Sequence, residues 1–406
     1  MQHMLDRQAP GFSAPRKPAA PRLMRRPGGA GPRVAIIHYW LVGMRGGEKV
    51  LESLLRMFPE AEIFTHAYDP SKVSELIRSK TVHLTSVGRL PFSTRLYQNY
   101  LTRMPRALEE IDLSGFDLVL SSESGPAKGV IPAPDALHLC YTHSPMRYLW
   151  DQYHVYHAAA GPLKRALMPR MVHELRKWDV TSAARVDAFM ANSTHVQARI
   201  NKYWRRDARV VHPPVAVDDF APATAAERGG FYLWAGELAG YKRPDIAIEA
   251  FNRLGKPLYV IGGPDKTAKA LAATANENIR FLGRVPFEKL KAYMAACKAL
   301  VFPGEEDFGL VPVEAMAAGR PVIAMARGGV LDTVVHGRTG LLYEQADAEG
   351  LMAAVEAFEA ERYDDLDPAT LTAHARQFDE GNFRRGIASV LRENGMAVNM
   401  AEVAGD

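Results

Sequence analysis

Short apolar runs alternate with amphipathic stretches along most of the chain. Arg33-Val-Ala-Ile-Ile-His-Tyr-Trp40 reads as a buried-type strand. Gly43-Met-Arg-Gly-Gly47 follows as a loop, and Val50, Leu51, Leu54 and Leu55 then recur on one side of a helix. Strand, glycine loop and helix in that order open a nucleotide-binding half-domain. Further strands are expected over 62–66, 117–121, 136–141 and 188–191, with helical or irregular stretches between them. Such alternation specifies a parallel sheet with helices on both faces.

Pro213-Pro214-Val215 and the loop-like 218–230 interrupt the pattern, and a second alternating series follows. Its strands fall at 231–236, 257–261, 279–282, 300–302 and 322–325, and its helices near 244–254, 287–296 and 311–318. The expected fold class is α/β, with two Rossmann-like domains, 33–215 and 216–380, whose parallel sheets face each other across a cleft. Residues 381–406 are expected to form a helix packing back on the first domain, then a tail. Open sheets of this kind bind ligands beyond the carboxyl ends of their strands, so the chemistry is expected in the cleft.

Composition agrees with this outline. A chain of 406 residues is long for one core, and a 47% hydrophobic share fills two. Cys140 and Cys297, the two cysteines, are too far apart in sequence to suggest a disulfide framework or a thiolate zinc site. No apolar run approaches the roughly 18 residues of a membrane span, and no apolar signal segment opens the chain, so a cytoplasmic protein is expected. Much of the net charge of +4 lies in a Pro-rich tail over 1–32, where Arg7, Arg16, Lys17, Arg22, Arg25 and Arg26 face one acid, Asp6. That tail reads as a disordered, solvated extension or as a basic segment drawn to the inner membrane surface. Elsewhere the charge is balanced and no nucleic-acid motif appears, so no nucleic-acid partner is expected.

The most informative stretch is 302–322, F-P-G-E-E-D-F-G-L-V-P-V-E-A-M-A-A-G-R-P-V. A strand ends, a loop carries Glu306, and a helix starts near Leu310 with Pro312 in its first turn. The free N–H groups and the dipole at such a start suit a phosphate-like anion. Glu306 precedes that start and Glu314 follows it by one turn. Carboxylates there are badly placed to bind phosphate but well placed to accept hydrogen bonds from hydroxyls, a sugar on one side and a ribose on the other. Two solvated glutamates around a helix start would give the same spacing. A glycosidase would also use paired carboxylates, but it leaves the anion cradle without a purpose.

Glu306, seven residues, then Glu314, within E-D-F-G-L-V-P-V-E-A-M-A-A-G-R-P-V, resembles the E-x7-E signature of the retaining family-4 glycosyltransferases of GT-B fold. The likeness extends over 33 to about 385 through G-M-R-G-G-E-K-V-L-E (43–52), C-Y-T-H-S-P-M-R-Y-L-W-D (140–151), A-N-S-T-H-V (191–196) and A-G-E-L-A-G-Y-K-R-P-D (235–245). Within that family it is most similar to bacterial mannosyltransferases of O-antigen and exopolysaccharide synthesis. The resemblance implies an acceptor domain first, a nucleotide-sugar domain second, GDP-mannose as donor and a polyprenyl-diphosphate-linked or oligosaccharide acceptor. UDP-sugar transfer is the alternative, as is a nucleotide-sugar epimerase or binding protein on the same plan.

Carried over residue by residue, the resemblance makes Glu306 the holder of donor-sugar hydroxyls, Glu314 the holder of the ribose, and Lys242 the cation neutralising the diphosphate. His143 would stand near the sugar's reacting face, which gives His143, Glu306 and Lys242 as catalytic. Phe308, Gly309, Leu310 and Val311 would supply the helix start, and Gly46 and Gly47 would let the first domain's backbone approach the diphosphate. Glu237 stands where many relatives have arginine, and either Arg243 supplies that missing charge or Lys242 and the backbone donors suffice. No Asp-x-Asp lies at a predicted active-site loop, so no metal or other cofactor is expected. Arg147 and Lys128 remain open between site and structural ion pair. The interleaved aromatics and arginines of 90–106 remain open between core packing and a membrane-surface helix.

Overall fold

The computed structural model describes residues 31–263 and 265–396; most of the basic tail and residues 397–406 lie outside the described residues. The first sheet contains β1 (Val34–His38), β2 (Glu62–Thr65), β3 (Val82–Leu84), β4 (Leu118–Glu123), β5 (Leu137–Thr142), β6 (Ala188–Ala191) and β7 (Ala208–Val210). They run parallel in the order β3-β2-β1-β4-β5-β6-β7. The second contains β8 (Tyr232–Ala235), β9 (Leu258–Ile261), β10 (Ile279–Gly283), β11 (Leu300–Phe302), β12 (Val322–Met325) and β13 (Gly340–Tyr343), parallel in the order β10-β9-β8-β11-β12-β13. Two parallel sheets flanked by helices are the expected α/β architecture. Central strands are fully buried because helices cover both faces, and β1 up to His38 and the first half of β4 are accordingly apolar. The pattern did not predict β3, β7 or β13. All three are edge strands of three or four residues, too short to stand out as apolar runs.

Each sheet has a switch point where the strand order reverses. In the first it lies between β1 and β4, and in the second between β8 and β11. The loops leaving β1 and β8 at these points open between the sheets and supply facing walls of the cleft.

The helix Glu380–Glu393 belongs to the first domain's core. Phe383, Ile387, Val390 and Leu391, on one helical stripe, join the cluster of Val34, Leu51, Leu54 and Met190, and Glu380 pairs with Arg56 at 3.0 Å. The chain therefore crosses between domains twice. The crossings lie side by side, with the Val215 N–H donating to the Phe378 carbonyl at 2.9 Å.

Two open readings resolve here. Lys128 is wholly buried between Glu123 and Asp179 and takes no part in the cleft. Residues 90–106 form no single amphipathic helix. They break into a turn of helix (Ser93–Leu96), a 3-10 stretch (Tyr97–Arg103) and the start of helix Met104–Glu109, where Pro105 sits at the second position. Leu90, Tyr97, Tyr100 and Leu101 pack against Val87, Met104 and Ala107, while Phe92 and Leu96 stay exposed.

Candidate active site

A cavity of about 530 Å³ lies between the domains. One wall is the loop after β1, from Trp40 to Arg45, with Glu48 and Tyr97. The other is built from the ends of β8 (Gly236, Glu237), β9 (Gly262, Gly263) and β10 (Arg284), together with Val311 and Glu314. Two helix starts meet here. Gly46 opens the helix Gly46–Met57, and a Cβ at that position would come within 3.0 Å of the Leu310 side chain, which opens the helix Leu310–Ala317 from the other domain.

The Leu310 helix has no side-chain cap, and Gly309 before it adopts φ +84°, a conformation glycine tolerates and other residues do not. The first-turn N–H groups and the positive end of the dipole are thus left for an anion. Lys242, from the loop after β8, meets Glu306, from the loop after β11, at 2.7 Å, and both are largely buried. Burial alone would lower the lysine's pKa, but the Glu306 carboxylate outweighs it and holds the ammonium above its usual range. Glu314 behaves in the opposite way. Burial pushes its carboxyl up to about 7, with Lys242 opposing and Glu306 adding to the rise.

On the first-domain side, strand register builds a buried polar chain. β1 and β4 pair with His38 opposite Ser122, and β5 ends one residue before His143. The Ser122 hydroxyl lies 3.0 Å from His38 Nδ1 and 2.8 Å from His143 Nε2, while His38 Nε2 stands 3.8 Å from the Glu48 carboxylate. Burial drives the His143 imidazole down to about 3, with His38 contributing, so the ring is neutral near pH 7. Glu48 is also buried, but His38 and the Arg45 N–H, which donates to it at 2.8 Å, keep its carboxyl below the usual range.

Among the residues chosen from sequence, Val311 and Glu314 line the cavity, and Lys242 and Glu306 pair behind Gly236, whose Cβ position lies 3.4 Å from the lysine Nζ. Phe308 can serve only through its backbone, because its ring is buried against His212 and Phe378. Gly47 needs correction: the space a side chain would take there is filled by the Tyr39 hydroxyl, 2.3 Å from an added Cβ, and not by cleft. Arg243 also needs correction. Its guanidinium clasps Asp245 with contacts of 2.8 to 3.1 Å and does not line the cavity, so it does not replace the arginine missing at Glu237. Positive charge on that side comes from Arg284, on the cavity wall, and from Arg45, which reaches across the cleft to Glu237 at 3.7 Å. Arg147 pairs with Asp151 at 3.1 Å. Sequence reasoning missed His38, Ser122, Glu48, Arg45 and Arg284. Of these, only Glu48 and Arg45 lay within a quoted motif.

Two family models match consecutive stretches of the chain, "Glycosyltransferase Family 4" over residues 44–219 and "Glycosyl transferases group 1" over 218–378. The chain belongs to the family-4 glycosyltransferases of GT-B fold. A D-inositol 3-phosphate glycosyltransferase of Geodermatophilus obscurus is 32% identical over 226 residues, 48% of this chain and 50% of that protein. Another protein of that name, from Xylanimonas cellulosilytica, is 27% identical over 86% of this chain and 93% of its own length. The alignment with the first of these relatives thus spans half of that relative. In fold, the chain is similar to Anabaena HepE in complex with UDP (TM-score 0.66, 16% identity, 89% of this chain and 100% of that one). It is equally similar to the sucrose-phosphate synthase of Thermosynechococcus elongatus (TM-score 0.67, 17% identity, 89% and 99%). Both domains of this family member therefore have counterparts in solved GT-B structures.

Proposed function

We propose that this chain is a retaining glycosyltransferase that moves a hexosyl group, mannose from GDP-mannose, to a lipid-linked or saccharide acceptor in surface polysaccharide synthesis. The observation that carries the reading is the uncapped start of the Leu310 helix beside an interdomain cavity, with the Lys242–Glu306 pair on one side and Glu314 on the other. As the bond from the sugar to the diphosphate breaks, negative charge grows on the leaving group. The helix N–H groups and the Lys242 ammonium stabilise it where water is excluded. Glu306 accepts from sugar hydroxyls and Glu314 from the ribose. His143, neutral and steadied by Ser122, faces the reacting side of the sugar. The acceptor hydroxyl enters on the face the diphosphate leaves, its oxygen bonds to the anomeric carbon, and a donor phosphate oxygen takes its proton. In this scheme lysine and helix dipole supply the positive charge, and no metal is required.

Turnover measured across GDP- and UDP-sugars tests the reading. GDP-mannose is expected to be preferred, and Glu306→Ala to lower turnover about 100-fold or more, the scale of losing one transition-state contact. Turnover of UDP-sugars alone would replace the donor and leave the transferase. That second donor reading is favoured by the UDP in the HepE structure.

Peripheral membrane contact is part of the proposal. No helix among the described residues is long and apolar enough to cross a membrane. The helices Tyr153–Ala159 and Pro162–Ala183 expose Val155, Tyr156, Leu163 and Leu167 beside Lys164, Arg165 and Arg170, and residues 152–173 contain no acid. Such a surface suits an anionic bilayer. Sedimentation with phosphatidylglycerol vesicles, lost in Leu163→Ser/Leu167→Ser and absent with phosphatidylcholine, is the expected result; equal recovery with both lipids argues against it.

A further inference from the structure

Among the described residues, the hydrogen bonds and ion pairs that reach the Glu306 loop from the first domain come from the helix Thr194–Trp204 with its cap Ser193, and Arg147 adds an electrostatic attraction to Asp307 and Glu305. Ser193 Oγ donates to the Asp307 carbonyl, and His195 lies 3.6 Å from Glu305. The Thr194 N–H donates to Asp332 at 2.7 Å, in the short helix that follows Gly329, and the Gly329 N–H in turn holds the Glu306 carbonyl at 2.9 Å. The Glu306 loop is thus pressed between a first-domain helix start and a second-domain turn.

The most connected residue of this contact is Arg199. Its side chain is 8% exposed, and its guanidinium donates to Asp307 Oδ1 at 2.5 Å across the domain boundary. The same group donates to Ser144 Oγ at 2.9 Å, to the Pro145 carbonyl at 3.3 Å and to Asp151 Oδ1 at 2.6 Å. Ser144 and Pro145 directly follow His143, and Asp307 directly follows Glu306. One rigid, permanently charged fork therefore joins the two loops whose side chains stand on opposite sides of the donor sugar in the proposed reaction. Little solvent reaches it, so screening is weak.

We propose that Arg199 is a positioning residue: its pairing with Asp307 across the boundary sets the Glu306 carboxylate against the donor sugar, in register with His143, only while the domains are apposed. This rests on the glycosyltransferase reading above. The nucleotide side of the cavity is built from Gly236, Gly262 and Glu314 of the second domain and does not include the pair. Loss of the pair is therefore expected to harm turnover and spare nucleotide affinity.

Asp307→Asn keeps the shape of a partly exposed side chain and removes its charge, so it is the variant of choice, with Arg199→Lys beside it. The readouts are kcat and KM with the sugar nucleotide the wild type turns over, GDP and UDP affinity by calorimetry, and the melting temperature. For Asp307→Asn a loss of about 10- to 100-fold in kcat is expected, the scale of a misplaced catalytic group, with nucleotide affinity and melting temperature unchanged. Because Asp307 acts through Glu306, adding Asp307→Asn to Glu306→Ala is expected to cost nothing more. Unchanged kcat in Asp307→Asn, or losses that multiply independently in the double variant, overturns the proposal. If the wild type turns over no sugar nucleotide, the transfer reading falls, and small-angle scattering then tests the pair by itself. A larger radius of gyration for Asp307→Asn supports its role at the boundary, and an unchanged one overturns it.

Discussion

Glu314 titrates in a range where its neighbours do not. Its carboxyl is held at about 7 against an ordinary 4.5, whereas burial keeps His143 near 3 and Lys242 stays charged. The folded state therefore binds this proton more tightly than the unfolded chain, and the contribution to stability falls as pH rises from about 4.5 to about 7. Glu314→Gln is expected to flatten the melting temperature across that interval. If Glu314 accepts from the ribose, wild-type nucleotide affinity strengthens as pH passes 7 and the Gln variant's does not; calorimetry on both sides of that pH decides. Lys128 shows the opposite lesson. With Glu123 at 3.3 Å, Asp179 on its other side and the Trp204 ring 4.2 Å away, its ammonium is a core element. Lys128→Met leaves two carboxylates facing each other and is expected to destabilise the protein by about 3–5 kcal/mol in urea unfolding. The sequence alone left its role open because Asp179 is distant along the chain and becomes a neighbour only when the Pro162–Ala183 helix folds back.

At the level of elements, the site depends on where the Leu310 helix begins. Gly309 makes that start at φ +84°, and an added Cβ would lie 3.3 Å from the Phe302 ring. Gly309→Ala is therefore expected to cost about 1–3 kcal/mol in stability and to weaken GDP or UDP binding as the first-turn N–H groups shift. Calorimetric affinities equal to wild type would show that the helix start does not touch the diphosphate. This part of the site was legible in sequence because strand end, loop, glycine and helix follow one another locally, and spacing along one segment put Glu306 and Glu314 on either side of the start. The Glu48, His38, Ser122, His143 chain was not legible. It depends on the β1–β4 register that sets His38 opposite Ser122, and one strand's sequence does not carry its neighbour's register. Arg243 failed for a local reason that the sequence did contain: Asp245, two residues on, competes for the guanidinium.

Across the whole molecule, the two parallel sheets with their helices were written in the alternation of runs, but the dependence of the first sheet's core on the chain's return was visible only as a helical stripe. Phe383, Ile387, Val390 and Leu391 are each no more than 2% exposed, and all sit in the first domain's core. Burying such side chains contributes about 1.5–3 kcal/mol apiece, so together they rival the roughly 5–15 kcal/mol that holds a domain folded. The second domain's clusters contain none of them. A chain ended after Asp379 is therefore expected to unfold selectively: protease should cut within 33–215 while the second domain survives as a resistant fragment that still binds nucleotide weakly. A truncated protein with wild-type melting and no new cleavage in the first domain would show that the Glu380 helix merely rests on that core.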